Sequence, residues 1–432
     1  MTKNILICTV GGSHQPVLTA IRELSPAHVL FFATGRDPAT GRPGSLSMIT
    51  GKGEPIEVRR GGEVVERLAN IPTQAGLTAE QFTTVEVPAD DLDGAASQML
   101  KAIVELRQRV KAAEMVADYT GGTKTMTAAL VMVALDFEDI DLQLVTGSRA
   151  DLVKVHDGSQ AGLTVTAEGI RLRRAMAPFV DAWQRFAYAE AAEGLARLRQ
   201  PRQADLRAEL QIAKGLSVAF DAWDRFDHAA ALEALEIFRA RVASASGEVA
   251  AQLFTALKWL TAGDDDPRCT PARLWDLWLN AQRRAAQGRF DDAVARAYRL
   301  VEWTAQWLLS QSGIDTADVR EDQIPEHIGI SANSDGKRKA GLIEAWRLAA
   351  HHCGEDVERF VADEGAHLLN HLHRRNHSIL AHGSTPVSRS DWEQFAGWLE
   401  ASLLPLYSAH AKRAGIKVPA PQLPRQPLWR NP

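Results

Sequence analysis

The feature that most limits what this chain can fold into is a change of pattern near residue 170. Before it, the runs "NILICTV", "HVLFFAT", "FTTVEVP", "EMVADYT" and "IDLQLVTG" are short and β-type. They are separated by segments such as "GEVVERLAN" and "AASQMLKAIVELRQRV" that read as helical. That alternation predicts βαβ units and an α/β, Rossmann-like domain with a mostly parallel sheet over residues 1–169. Two later runs, "ADLVKVHD" and "GLTVTAEG", have only a turn between them and predict an added antiparallel pair at an edge.

From Arg171 onward strand patterns vanish, and alanine, leucine, arginine and glutamate dominate with aromatics at helical intervals, so the rest is expected to be all helix. Within it "DAWQRFAYAEA" at Asp181 returns as "DAWDRFDHAAA" at Asp221, and "GRFDDAVARAY" at Gly288 echoes it again. Similar helical hairpins, with the aromatics as core, are expected in preference to a binding repeat, because unequally spaced copies make a poor solenoid. The clearest break is "TAGDDDPRCTP", Thr261 to Pro271. It divides a helical insert, residues 170–265, from a last all-helical domain, residues 266–412. The closing "VPAPQLPRQPLWRNP", within 413–432, is too rich in proline for helix or sheet and reads as extended or disordered.

At 432 residues the chain exceeds the roughly 250 to 300 at which a single core stops growing, so several domains are expected. The formal net charge of −5 argues against a broad nucleic-acid-coating surface and leaves room for a local basic pocket. No stable DNA binding is expected. No apolar run approaches the roughly 20 residues that cross a bilayer, and the opening "MTKNILICTVGG" reads as a first core strand rather than a leader. Cys8, Cys269 and Cys353 are few, odd in number and far apart, which fits a reducing cytoplasm.

Two loops of the first domain are candidate ligand sites. "TVGGSHQP", Thr9 to Pro16, follows the first strand; "DYTGGTKTMT", Asp118 to Thr127, ends another and opens a helix. Glycines permit close backbone approach, helix amino termini offer amides to anions, and Lys124 adds a positive charge. Neither is GxGxxG or a Walker loop. Loops leaving the carboxyl ends of strands at a switch in strand order share a crevice, so the two are expected to meet there around a small nucleotide ligand. The competing reading is a pair of tight glycine turns with hydroxyl helix caps.

Near the carboxy terminus, "RRNHSILAHG" gathers Arg375, Asn376, His377 and His382 around a short apolar run. Arg375 and His382 are seven apart, so a helix returns them to about the same face. Their backbones then lie about 10 Å apart, a gap more easily bridged around one phosphodiester when two copies face each other across a dimer axis. A neutral histidine moves a proton near neutral pH, and arginine holds the charge developing on phosphate. If the ribose 2′-hydroxyl attacks, no metal is required. "HLLNHLHRRNH" also places His367 with His371, and His373 with His377, at the spacing of helical metal ligands, but HExxH is absent and a solvated helix face is the preferred reading.

Together these residues resemble the CRISPR-associated ribonucleases of type III systems, of the Csm and Csx kinds, that join an amino-terminal CARF sensor to a carboxy-terminal HEPN nuclease. "VGGS" and "DYTGGTKTM" look like CARF ligand loops, and "RNHSILAHG" looks like the R-x(4-6)-H signature of HEPN ribonucleases. "NAQRRAAQGRFDDAVARAYRLVEWTAQ" is similar to the helix pair that precedes that signature. The resemblance implies a cytoplasmic homodimer with low activity until a cyclic oligoadenylate occupies the first domain, and cleavage of single-stranded RNA by the last, with no cofactor required and no membrane. Four adenylates are favoured over six. Carried over by position, the catalytic candidates are Arg375, Asn376, His377 and His382. The ligand candidates are Val10, Gly11, Gly12, Ser13, Asp118, Thr120, Gly121, Gly122, Thr123, Lys124, Thr125 and Met126. The rival readings are a non-catalytic nucleotide sensor and a metal-dependent phosphodiesterase built on the histidines. The long loop "GRDPATGRPGSLSMITGKGEP" is either a cover for the sensor pocket or a surface loop.

Overall fold

The computed structural model describes residues 4–60, 62–110, 114–146, 149–151, 154–155, 161–376 and 384–429; of residues 369–376 only the helical backbone is described. Two compact units, Met1–Ala175 and Met176–Pro432, divide the chain. Among the described residues no helix is long and apolar enough to cross a membrane.

The first unit runs β1 (Asn4–Thr9), α1 (Gln15–Leu24), β2 (His28–Ala33), α2 (Ser47–Thr50), β3 (Ile56–Arg60), β4 (Glu63–Leu68), α3 (Ile71–Ala75), β5 (Phe82–Glu86), α4 (Leu92–Arg109), β6 (Glu114–Asp118), α5 (Lys124–Leu135), β7 (Ile140–Thr146), β8 (Arg149–Asp151), β9 (Lys154–Val155) and β10 (Ala161–Val165). Its main sheet has the order β10-β7-β6-β1-β2-β5, parallel throughout except where β10 runs against β7. The chain leaves β1 toward β2 and later fills the other side of β1 with β6 and β7. The switch in strand order therefore falls between β1 and β6.

Successive side chains of a strand point to opposite faces. Ile5 and Ile7 of β1 join α4 and α5 in one core, with Met99, Ile103 and Leu130. Leu6 and Cys8 join α1 in the other, with Leu18, Ile21 and Phe31. Burial on both faces explains why "ILIC" is apolar at every position. Burial also pushes the Cys8 thiol well above its ordinary value, so it behaves as a core side chain.

The structure corrects two expectations. "GEVVERLAN" is not helical: residues 63–68 form β4, paired antiparallel with β3 so that Arg60 faces Glu63. Two glycines between two runs that both hold β-branched residues, "IEV" and "EVV", are a hairpin signal, and Gly62 has φ +92°. "GLTVT" also takes another partner: Leu163 of β10 faces Leu144 of β7, adding an antiparallel edge to the main sheet, while β8 and β9 pair with each other. The long loop after β2 is anchored at its base. Thr34 N–H donates to Ser45 Oγ at 3.0 Å, Ser45 N–H returns to Thr34 Oγ1 at 3.1 Å, and Ile49 is buried.

The second unit is helical. α6 (Glu168–Gln184), in which the division falls, is followed by α7 (Tyr188–Arg197), α8 (Ala204–Asp224), α9 (His228–Ile237), α10 (Arg239–Ser246) and α11 (Glu248–Leu260). After the predicted break come α12 (Cys269–Ala286), α13 (Phe290–Gln311), α14 (Leu342–His352), α15 (Glu355–Asn376), α16 (Arg389–Trp398) and α17 (Leu404–Arg413), the last two joined by a π-helical turn, Leu399–Leu403.

The sequence echoes are helical hairpins that share one turn. Phe186 (φ +58°) donates its N–H to Trp183 O at 2.9 Å, and Ala187 to Ala182 O at 2.8 Å. Phe226 (φ +66°) and Asp227 repeat those bonds to Trp223 O and Ala222 O, both at 2.9 Å. In the third copy Gly288 (φ +76°) occupies the left-handed position that the two phenylalanines take. Each hairpin tryptophan then ties to the next: Trp183 Nε1 donates to Ser217 at 2.9 Å and Trp223 Nε1 to Asp276 at 3.0 Å.

A fully buried Arg283 donates to Asp224 Oδ1 at 2.7 Å and to Gln422 Oε1 at 2.8 Å, and lies 3.5 Å from Asp276 Oδ1. Arg284 completes the pairing of Asp224. Gln422 belongs to the proline-rich tail, which is extended and packed rather than disordered. Leu423, Leu428 and Trp429 are buried, the Trp429 ring meets Trp183 at 4.9 Å, and Pro424 O accepts from Tyr188 OH at 2.7 Å. Each buried leucine contributes roughly 1.5–3 kcal/mol of apolar transfer, and the lack of helix or strand is no obstacle because these carbonyls find side-chain donors.

Candidate functional site

β1 and β6 are neighbours in register, Cys8 beside Asp118, so the loops that leave their carboxyl ends emerge together at the switch point. The loops touch. Thr9 Oγ1 donates to Gly121 O at 2.6 Å, and Thr127 Oγ1 reaches the same oxygen at 3.1 Å. A Cβ on Gly11 would stand 2.6 Å from Gly122 N, and one on Gly121 would stand 2.4 Å from Thr9 O. Gly122 has φ +90° and would meet Thr9 Cβ at 2.9 Å. These three glycines are therefore required by the approach of one loop to the other. Gly12 is different: it is exposed, and a Cβ there would meet nothing within 4 Å.

Asp118 is buried at the end of β6. Its Oδ1 accepts from Thr120 N–H at 2.9 Å, and Gln143 Nε2 lies 3.4 Å from Oδ2. Burial pushes its carboxyl above the ordinary value, against the lowering effect of those hydrogen bonds. Thr120 Oγ1 accepts from Val145 N–H at 2.7 Å, which ties the loop to β7. Thr123 caps α5, accepting from Met126 N–H at 3.2 Å while donating to Ala89 O at 2.6 Å.

The candidates therefore separate by position. Val10 and Met126 have buried side chains in the two cores. Asp118, Thr120 and Thr123 hold the loops in shape. Gly12, Ser13 and Lys124 are exposed, with Thr125 half-buried beside them, at the amino ends of α1 and α5. An anion at this crevice meets backbone amides, a hydroxyl and one ammonium. Thr9, which lay within the loop named from the sequence, and Gln143 of β7, which the sequence reading did not name, also belong to the meeting of the loops.

The second candidate segment lies at the end of α15. Arg375 and Asn376 are its final residues; His377 and His382 lie outside the described residues. α15 is tied at its start, where Asp356 Oδ2 pairs with His410 at 3.1 Å and Arg413 at 3.0 Å. Burial raises the Asp356 carboxyl, but those two partners outweigh it and hold the group below its ordinary value. Val357 and Leu368 are buried along the helix. His367, one of the metal-ligand candidates, pairs with Glu364 at 2.9 Å.

Fold and site together define a class: an α/β domain with glycine loops meeting at the switch of strand order, followed by an all-helical part that carries an arginine-asparagine pair at the end of a long helix. Residues 266–403 match the family described as "Csm6 HEPN domain", so the carboxy-terminal part is a HEPN domain. Among solved structures, Enterococcus italicus Csm6 bound to cyclic hexa-2′-fluoro-hexa-dAMP superposes with a TM-score of 0.52 at 11% identity, covering 96% of this chain and 95% of that one. Fold is thus shared with Csm6 over nearly the whole chain, as the resemblance to CARF–HEPN proteins implied. Can2 from Sulfobacillus thermosulfidooxidans in complex with cyclic tetra-adenylate covers 51% of this chain and 66% of that one, at 11% identity and a TM-score of 0.24, too low to bear on the fold. No curated protein matches the chain in sequence.

Proposed function

We propose that this protein is a cytoplasmic, homodimeric endoribonuclease of type III CRISPR defence, activated by a cyclic oligoadenylate and cutting single-stranded RNA without a metal. The observation that carries this reading is that one chain joins a glycine-loop crevice at a strand-order switch to a HEPN domain whose matched span contains Arg375 through His382. The ring of adenylates sets its phosphates against the amides, Ser13 and Lys124 of the crevice. Activation requires that the ring bind one dimer arrangement more tightly than another, since equal affinity shifts nothing.

At the nuclease segment the chemistry is an internal transesterification. The RNA 2′-oxygen bonds to the adjacent phosphorus, the bond to the 5′-oxygen breaks, and the products are a cyclic 2′,3′-phosphate and a 5′-hydroxyl. His382 moves the proton involved, Arg375 stabilises the charge on the phosphate oxygens, and Asn376 orients the arginine or the phosphate, with His377 a further polar group. Two copies of the segment complete one site across the dimer axis.

The test incubates the protein with fluorescent single-stranded RNA in EDTA, with and without rings of four and of six adenylates. Cleavage with one ring, lost by at least about a hundredfold in Arg375→Ala and His382→Ala while ring binding is unchanged, is the expected result. Ring binding without cleavage would favour the non-catalytic sensor, and cleavage abolished by EDTA the metal-dependent phosphodiesterase.

A further inference from the structure

Glu364 sits on α15 eleven residues before Arg375, about three turns, so the two positions share a face of one continuous helix. Its carboxylate collects three donors. Trp398 Nε1 donates to Oε2 at 2.7 Å, Ser402 Oγ to Oε1 at 2.8 Å, and His367 Nδ1 lies 2.9 Å from Oε2. Hydrogen bonds from His367 and then Trp398 hold the carboxyl below its ordinary value. Trp398 closes α16, and Ser402 lies in the π-helical turn that follows. Such turns are rare and recur at functional sites.

Apart from the Asp356 pairs at the start of α15, about two turns before Glu364, the remaining described anchors of the helix are apolar: Phe360 meets Trp346 at 5.0 Å and Trp398 at 6.4 Å, and Val357 and Leu368 are buried. Apolar contacts fix how close a helix lies, but they are not directional and tolerate a roll about its axis. The two directed hydrogen bonds from Trp398 and Ser402, which stand outside α15, do not; the His367 bond lies within the helix and turns with it. On a helix of about 5–6 Å radius with side chains, a roll of about 10° displaces a side-chain tip by about 1 Å. A misplacement of that size can cost a reaction about a hundredfold.

We propose that Glu364 is a positioning residue for RNA cleavage, setting through Trp398 and Ser402 the rotation of α15 and so the place of the Arg375–Asn376 pair. This rests on the nuclease reading above. The full-length dimer is assayed as wild type, Glu364→Ala, Glu364→Gln, Trp398→Phe and Ser402→Ala, with ring-activated RNA cleavage, ring affinity and amide hydrogen exchange measured on each. Glu364→Ala is expected to lower kcat about tenfold or more with KM within about twofold and ring affinity unchanged. Glu364→Gln, which still accepts one hydrogen bond, recovers to within about threefold of wild type. Exchange of residues 369–376 rises in Glu364→Ala while α13 keeps its protection. An active wild type with an equally active, folded Glu364→Ala overturns the role of Glu364 alone, as does unchanged exchange at 369–376. RNA left intact by the wild type with every ring overturns the nuclease reading and this role together.

Discussion

At the scale of single residues, the four loop glycines that look alike in sequence have different jobs. Gly11, Gly121 and Gly122 stand where a side chain would strike the backbone or Thr9 of the opposite loop, whereas Gly12 faces open space. Gly12→Ala is therefore expected to leave the melting temperature within about a degree of wild type, while Gly11→Ala lowers it by several degrees and weakens ring binding with it, because the loops can no longer close on each other. Thermal melts and ring titrations on the two variants check this. A reverse outcome would mean that the crevice is not built on the contact between Gly11 and Gly122. The division between core and exposed candidates is of the same kind: "VGGS" shows no difference in type between Val10 and Ser13 as ligand contacts, and only burial separates them.

At the scale of elements, the shared hairpin turn shows how repeated sequence becomes repeated geometry. Phe186 and Phe226 both hold a left-handed backbone that costs a non-glycine residue roughly 1–2 kcal/mol. Their rings differ: Phe186 is 4% exposed, and Arg425 lies over it at 4.9 Å, whereas Phe226 is 40% exposed. Phe226→Gly should be neutral to within about 1 kcal/mol, relief of the backbone offsetting the added freedom of the unfolded chain. Phe186→Gly should cost about 3 kcal/mol or more through the cavity it opens. Denaturant melts at equal slope would measure both, and equal losses would show that the turn, not the ring, decides. The segment "GEVVERLAN" belongs here too. Its period suits a helix, and the paired glycines before it were the stronger signal.

At the scale of the whole molecule, the tail is part of the core of the second unit. Gln422 joins Arg283 to the main chain of α12, accepting from the guanidinium at 2.8 Å and donating to Leu279 O at 3.0 Å. Gln422→Ala leaves a buried cationic donor without that partner and should cost about 1–3 kcal/mol. Removing residues 416–432 should lower the melting temperature further, since it also uncovers the surfaces beneath Leu423, Leu428 and Trp429. Calorimetry on both proteins tests this, and a truncated chain as stable as the full one would show that the tail only rests on the surface.

The sequence by itself determined the class of each half, the parallel character of the first sheet, the hairpins of the second unit and the places of the two glycine loops. It could do so because periodicity, turn chemistry and helix propensity act over a few residues. The resemblance of "RNHSILAHG" to a HEPN signature was likewise read from a few adjacent residues. The tertiary structure alone decided which strand "GLTVT" joins, since an antiparallel edge is chosen by the neighbour that needs covering. It alone decided that the proline-rich tail packs, because its partners Trp183, Tyr188 and Arg283 lie 139 to more than 200 positions away in the chain. It also revealed the three donors around Glu364, two of which come from a helix and a π turn more than thirty residues later. Long-range contacts of that kind leave no local period to read.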